Sequence, residues 1–310
     1  LIAANLAAGT LPDVMFHPVD YSAAWYADGI LSAEAATAVI NDLGADQFSA
    51  LGMVDNGMGQ YMAIPTDGWG QLLVYRADLF EAAGLEAPTD FDKIMAAAQA
   101  LHDPGNSFYG IVAATDPSAV FTQQTFEHFA LANGVTLTDA EGNVTLNTPE
   151  MVEALAFYTD LVGNYGPPGV IDVVSSRATY FAGQAAMLVW SPFVLDEMAG
   201  LRDNALPNCP ECADDTAFLA RVSGFVPAFV GPSGSEPVQY GQVSMMGIST
   251  SAPPEAQEFV KFWLSEGYLD WLAVAVEGKF PMRRGTPDNP TLYMEGWSTL
   301  PTGVDRKAPL

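Results

Sequence analysis

The chain has 310 residues, 49% of them hydrophobic, and its 37 acidic against 11 basic side chains give a formal net charge of −26. A surface of that charge repels nucleic-acid phosphates and anionic lipid headgroups, which excludes nucleic-acid binding. The apolar runs are far shorter than the roughly 20 residues that span a bilayer. The length and apolar content predict two lobes or domains. The acidity is typical of a well-solvated secreted surface or of adaptation to high salt or low pH.

Strand signals alternate with helix signals along almost the whole chain, which predicts an α/β protein. Strands are predicted at residues 13–16, 61–64, 72–75, 109–113, 185–190 and 242–248. A polar, glycine-containing bend is predicted at 66–70, between the second and third strands. Helices are predicted at residues 76–83, closed by Gly84, at 91–101, capped by Asp90, at 149–162, capped by Thr148, and at 253–264.

The two cysteines, Cys209 and Cys212, form a Cys-Pro-Glu-Cys sequence in a proline-rich stretch. A redox motif would open a helix after a strand, and a zinc site would need two further ligands. A structural disulfide fits a loop in an oxidising compartment and leaves no free thiol. Among these three interpretations the sequence favours the disulfide.

Five segments follow one another in the order and spacing of a known family. They are AAGTLPDVMF at 7–16, Ile64-Pro65 followed by LLVYRADLF at 72–80 and Pro88–Phe91, VSSRATYFAGQAAMLVW at 174–190, residues 244–264, and GKFPMR at 278–283. Together they resemble the extracellular solute-binding proteins of family 1, the maltose-binding-protein-like receptors of ABC importers. The resemblance covers the chain from residue 1 to about residue 285.

The resemblance implies a two-lobed, periplasmic-binding-protein-like (type II) α/β fold with discontinuous lobes joined by a strand hinge. The N-lobe is expected to contain 1–67 and 247–286. The C-lobe is expected to contain 71–243 and 287–310, with the hinge near 66–72 and 242–247. Relatives extend further at both ends, so the N- and C-terminal parts of the fold are expected to be missing.

The function implied is that of an extracytoplasmic receptor, which binds a neutral di- or oligosaccharide in the cleft between lobes by hinge closure and presents it to a membrane permease. The receptor would be a monomer without catalytic activity, cofactor or metal. It would be periplasmic or extracellular, with lipid anchoring to the outer face of the cytoplasmic membrane as one alternative. A glycoside hydrolase with paired carboxylates and a ligand-binding sensor domain are the alternative functions.

Sugar sites combine carboxylates that accept hydroxyl hydrogen bonds with aromatic rings under the pyranose. The expected ligand-binding residues are Asp20, Asp67, Trp69, Trp190, Phe193, Tyr240, Gln242 and Arg283. Asp20 matches a family position that accepts sugar hydroxyls, and Trp69 would stack from the predicted bend. Either Trp190 or Phe193 would stack on the sugar, with core burial as the alternative for the other. Arg283 would clamp the ligand or form a surface salt bridge, and Trp271 would pack in a core.

Overall fold

The structure of the chain, a computed structural model, describes residues 2–139, 141–202 and 205–300. These residues form two compact units. The first unit contains the described residues up to Trp69 together with those from Gly241 onward, and the second contains the residues between. The predicted assignment of 301–310 to the C-lobe lies outside the described residues. Within the described ranges, no helix combines the length and apolar character needed to cross a bilayer.

The first unit is built on a four-stranded sheet. Its helices and strands are α1 (Ile2–Ala8), β1 (Val14–Pro18), α2 (Ser22–Ala27), α3 (Ala33–Leu43), β2 (Ile64–Gly70), β6 (Gly241–Ile248), α11 (Glu255–Trp263), α12 (Tyr268–Ala273), β7 (Phe280–Pro281) and α13 (Leu292–Thr299). Single 3-10 turns occupy Val19–Tyr21, Ala45–Gln47, Leu51–Met53 and Val276–Gly278.

The strand order in this sheet is β1-β6-β2-β7. Strand β1 runs antiparallel to β6, with Val14 opposite Ile248 and Pro18 opposite Ser244. Helices α3, α11 and α12 bury their apolar faces on one side of the sheet around Ile64, which is fully buried. The carboxyl ends of β1 and β2 therefore lie at the same edge of the sheet as the amino ends of β6 and β7.

The second unit contains a three-stranded sheet covered by helices. Its helices and strands are β3 (Leu72–Arg76), α4 (Ala77–Ala83), α5 (Phe91–Leu101), α6 (Val120–Ala132), α7 (Pro149–Tyr165), α8 (Val173–Phe181), β4 (Met187–Trp190), α9 (Val194–Met198), α10 (Phe218–Val222) and β5 (Ser223–Val226). Two 3-10 turns lie at Pro104–Asn106 and Pro210–Ala213. Strand β3 is central, between β4 and β5 and antiparallel to both.

The predicted caps Asp90 and Thr148 and the predicted end at Gly84 are confirmed, whereas the helix predicted to end at residue 162 continues to Tyr165. The Asp90 side chain accepts a hydrogen bond from the backbone N–H of Lys93 at 2.8 Å, and the Thr148 hydroxyl accepts one from Met151 at 3.2 Å. Gly84 ends α4 in the left-handed conformation with φ of +68°. A β-carbon would strain that conformation, so glycine is the residue that fits.

The predicted bend at 66–70 is wrong, because β2 runs through it from Ile64 to Gly70. Asp67 and Gly68 pair with β7, and the Thr66 hydroxyl donates to the carbonyl of Ser244 at 3.0 Å. Pro65 lies within the strand and does not end it. The segment 109–113, predicted as a strand, forms only two single parallel bridges, between Tyr109 and Ala185 and between Val112 and Leu188 of β4.

The expected C-lobe assignment of 287–300 is also wrong, because these residues belong to the first unit. Tyr293 on α13 is 4% exposed and packs edge-to-face on Tyr268, with ring centroids 5.0 Å apart. The indole Nε1 of Trp297 donates to the carbonyl of Val276 at 3.1 Å. The buried ring of Tyr293 and the hydrogen bond from the half-buried Trp297 hold α13 against the core of the first unit.

Candidate functional site at the sheet edge of the first unit

Asp20 and Gln242 come together at the edge of the first sheet. Asp20 follows the end of β1, and the antiparallel register of Pro18 with Ser244, extended by two residues, brings it opposite Gln242. The side-chain Nε2 of Gln242 donates to Oδ2 of Asp20 at 3.0 Å across 222 positions of sequence. This hydrogen bond orients the Asp20 carboxylate. Asp20 is exposed, so the carboxylate remains accessible to ligand hydroxyls.

Trp69 lies at the same edge. The register of β2 with β7, Asp67 opposite Pro281 and Gly68 opposite Phe280, brings Trp69 opposite Lys279 when it is extended by one residue. The indole is half-buried on an extended strand, and it does not project from a bend as the sequence analysis expected. Its position beside the start of β6 is compatible with the predicted stacking role.

Asp67 is buried beneath this edge, with 3% of its surface exposed. Its Oδ1 accepts a hydrogen bond from Trp271 Nε1 at 2.8 Å, and the Thr66 hydroxyl, 3.0 Å away, shares its one proton between this oxygen and the carbonyl of Ser244. Burial raises the pKa of Asp67, while the bonds from Trp271 and Thr66 and the charge of Lys279 act in the opposite direction. The expected direct ligand contact for Asp67 is therefore wrong, because this carboxylate is buried in β2 and holds the indole of Trp271.

An aromatic cluster that the sequence analysis missed lies next to Asp67. Phe16 on β1 meets Trp271 on α12 edge-to-face, with ring centroids 5.4 Å apart and planes at 68°. The Lys279 Nζ donates to the carbonyl of Trp271 at 3.0 Å and lies 3.5 Å from the centroid of its indole. The sequence assigned Trp271 to a core from its apolar helical neighbours. The position of Phe16 on the predicted strand that leads to Asp20 could have indicated it.

In the second unit the structure separates the two candidate stacking rings. Trp190, the last residue of β4, is 6% exposed and packs in the core with Phe121, whose ring centroid is 4.9 Å away. The guanidinium of Arg177 lies 6.0 Å from the Trp190 ring. Phe193 is half-buried at the start of α9. The stacking role expected of Trp190 is therefore wrong, and Phe193 is the ring of this pair that a ligand could contact.

Tyr240 is the last residue of the second unit before β6 and is 7% exposed. Its carbonyl accepts a hydrogen bond from the backbone N–H of Gln71 at 2.8 Å. The two segments that lead out of the second unit are thus joined by a backbone hydrogen bond. The backbone of Tyr240 thus holds these two segments together, and its buried side chain offers little surface to a ligand.

Arg283 lies inside the first unit with 2% of its surface exposed. Its guanidinium donates to the carbonyl of Leu264 at 2.5 Å, to the Tyr293 hydroxyl at 3.1 Å and to the carbonyl of Leu43 at 3.0 Å. The expectation that Arg283 clamps a ligand, and the alternative of a surface salt bridge, are both wrong. The guanidinium cross-links three segments of the core.

Cys209 and Cys212 form a disulfide with an S–S distance of 1.96 Å, which confirms the interpretation that the sequence favoured. Both residues are buried, at 1% and 2% exposure, in the core of the second unit. Among the described residues, no group of three or more histidine, cysteine, aspartate or glutamate side chains is arranged to hold a metal ion.

A first α/β unit made of two separate stretches of chain, with a continuous α/β unit between them in sequence, is the arrangement found in the type II periplasmic binding-protein fold. The sequence profile of the bacterial extracellular solute-binding protein family matches residues 2–269. The chain belongs to this family, as its motifs indicated.

Comparison with individual proteins agrees with the family. The chain is 29% identical over 285 residues to the putative ABC transporter periplasmic-binding protein YcjN of Escherichia coli, covering 89% of this chain and 61% of that protein. The chain thus spans less than two thirds of the length of this relative.

Solved structures share the fold. A solute-binding protein of Agrobacterium radiobacter K84, in complex with ribitol, superposes with a TM-score of 0.73 at 24% identity, covering 97% of this chain and 74% of that one. The maltose-bound T. maritima MalE3 gives the same TM-score and identity, with 95% and 72% covered.

Proposed function

We propose that this chain is the ligand-binding part of an extracytoplasmic receptor for an ABC importer, and that its ligand is a neutral sugar or polyol. The observation that carries the proposal is the exposed Asp20 carboxylate, oriented by Gln242, at the sheet edge that also holds Trp69. A carboxylate of this kind accepts two ligand hydroxyls, and an indole covers a C–H face.

The proposal includes the class of ligand, the partner and the location. Two proteins of the same fold were solved with ribitol and with maltose, so both polyols and disaccharides are candidates. The partner is a membrane permease, and the location is the periplasm or the extracellular side of the membrane. The segments near 66–72 and 242–247 are proposed as the hinge. Small-angle scattering would test it through a fall in the radius of gyration when a sugar binds.

A glycoside hydrolase is the less favoured function. The raised pKa of Asp67 is what a general acid requires, and Asp20 is the exposed carboxylate at the same sheet edge. However, Asp67 is 3% exposed and bonded to Trp271 and Thr66, so it cannot reach a glycosidic oxygen. Absence of sugar release from aryl glycosides and from maltose would exclude this alternative.

The test of the proposal is isothermal titration calorimetry with maltose, ribitol and a panel of related neutral sugars and polyols. The Asp20→Asn variant should weaken binding at least about tenfold, because a charged acceptor contributes about 1.5–3 kcal/mol. Asp28→Asn is the matched control, since Asp28 is also an exposed aspartate of the first unit. Equal affinities for both variants, or no binding of any neutral compound by the unmodified chain, would overturn the proposal.

A further inference from the structure

A cavity of about 470 Å³ lies at the C-terminal end of α7 in the second unit. It is lined by the side chains of His102 and Tyr109, by the last turn of α7 and by the two prolines that follow this helix, Pro167 and Pro168. None of the lining residues belongs to the candidate site at the sheet edge of the first unit. Sites for small molecules have volumes of roughly 300–1,000 Å³, so the cavity is large enough to hold a small ligand.

The end of α7 carries two backbone carbonyls that lack main-chain donors. In an α-helix, a carbonyl accepts from the N–H four residues later. For Gly163 and Asn164 the residues at that position are both prolines, which have no N–H. The N–H of Gly166 donates to the residue before Gly163. Since the C-terminal end of a helix is also the negative end of its dipole, this wall of the cavity favours a cation.

His102 and Tyr109 form the aromatic part of the cavity. Their ring centroids are 6.1 Å apart, and the His102 ring also meets Tyr165 edge-to-face at 5.6 Å. The Gly110 N–H donates to Nδ1 of His102 at 3.3 Å, so this nitrogen carries no proton and the imidazole is neutral. Among the described residues, the Tyr109 hydroxyl has no hydrogen-bond partner. The face of its ring attracts a cation, and its oxygen can accept a hydrogen bond.

The charges around the cavity select the same class of ligand. No lysine, arginine, aspartate or glutamate is among the residues that line it, so no fixed cation of the wall repels a positively charged ligand. The formal net charge of −26 raises the concentration of cations near the surface. An anion would be repelled by this field and by the carbonyls at the end of α7. A neutral molecule would gain no attraction from the field.

We propose that this cavity binds the ammonium group of a small alkylamine. The ammonium donates to the carbonyls of Gly163 and Asn164 and faces the ring of Tyr109, while the alkyl chain lies against the two prolines. The site is separate from the proposed sugar site and does not depend on the proposed function. It also accounts for the glycine at position 163, since a larger side chain there would occupy the space beside the cavity.

The experiment measures binding of butylammonium chloride by saturation-transfer NMR and by calorimetry at constant ionic strength, with butan-1-ol as the neutral analogue. In Gly163→Leu the new side chain should obstruct the cavity, because a β-carbon at this position meets no atom within 4 Å. The fold should be retained, since leucine favours a helix more than glycine does. Ala156→Leu is the matched control, because Ala156 is an exposed residue of the same helix that does not line the cavity.

We expect the unmodified chain to bind butylammonium with a dissociation constant on the order of 1 mM. Gly163→Leu and Tyr109→Ala should each bind at least about fivefold more weakly, and Ala156→Leu should change the affinity by less than about twofold. Equal binding by Gly163→Leu and Ala156→Leu would show that the amine is only a counterion of the acidic surface and would overturn the proposal. No binding to the unmodified chain, or equally tight binding of butan-1-ol, would also overturn it. None of these results bears on the proposed sugar receptor, because Gly163→Leu should bind neutral sugars as the unmodified chain does.

Discussion

Replacing Arg283 by methionine should destabilise the first unit without altering ligand recognition directly. The guanidinium makes hydrogen bonds to the carbonyls of Leu264 and Leu43 and to Tyr293, and it lies 5.8 Å from the ring of Phe48. Methionine keeps most of the apolar volume and removes all of these bonds. The two carbonyls would then be buried without the donors they have now.

The size of the effect follows from opposing contributions. Hydrogen bonds from a charged donor contribute about 1.5–3 kcal/mol each. Burial lowers the pKa of Arg283, which shows that desolvation of the charge already opposes these bonds. Removing the charge relieves that cost, so we expect the free energy of unfolding to fall by about 3 kcal/mol in total. At roughly 2–4 °C per kcal/mol for a domain of this size, the melting temperature should fall by roughly 6–12 °C.

The assay is thermal and urea unfolding followed by tryptophan fluorescence, with calorimetric titration of the same samples. Arg221→Met is the control, because Arg221 forms an exposed ion pair with Asp215 and its loss should change stability by less than about 0.5 kcal/mol. Unchanged stability of Arg283→Met together with a large loss of sugar affinity would refute the structural role and restore the ligand clamp.

Three further predictions concern other sites. Trp69→Ala should weaken sugar binding about 30- to 1,000-fold in calorimetry, since a central stacking ring contributes roughly 2–4 kcal/mol; a loss under threefold would remove it from the site. Burial lowers the pKa of His128 from 6.5 to about 3. As the pH falls, His128 is therefore protonated in the unfolded chain before it is protonated in the folded protein. The free energy of unfolding should fall by about 1.4 kcal/mol per pH unit below about pH 6.5. In urea unfolding, His128→Leu should lose that slope, and an unchanged slope would contradict the reasoning. The double variant Cys209→Ser, Cys212→Ser should lose about 2 kcal/mol in the same assay, given the short loop closed; equal stability would contradict this.

Local patterns in the sequence predicted local structure. Asp90 and Thr148 were identified as helix caps because the cap and its backbone partner are three residues apart. The strand at 66–70 could not be identified in the same way, because Thr66 is bonded to Ser244, 178 positions later. A polar segment with glycine is typical of a bend until its pairing partners are known.

The same limit applies to the candidate site. Family motifs pointed to Asp20 and Gln242, and the structure joins them, but their pairing depends on the register of two strands far apart in sequence. The burial of Arg283 and Lys279 could not be predicted, since charged side chains are seldom buried and the sequence does not show the carbonyls and ring that accommodate them.

The order β1-β6-β2-β7 also sets the sequence in which the chain can fold. Strand β6 lies between β1 and β2, yet it follows them only after the whole second unit has been made. The second unit is continuous in sequence and can complete its core from its own residues. Because β6 lies between β1 and β2, neither of these two strands can pair in the central part of the sheet until the residues from 241 onward have been synthesised. Its exposed strand edges then depend on rapid completion of β6, and contacts of such long sequence separation form slowly.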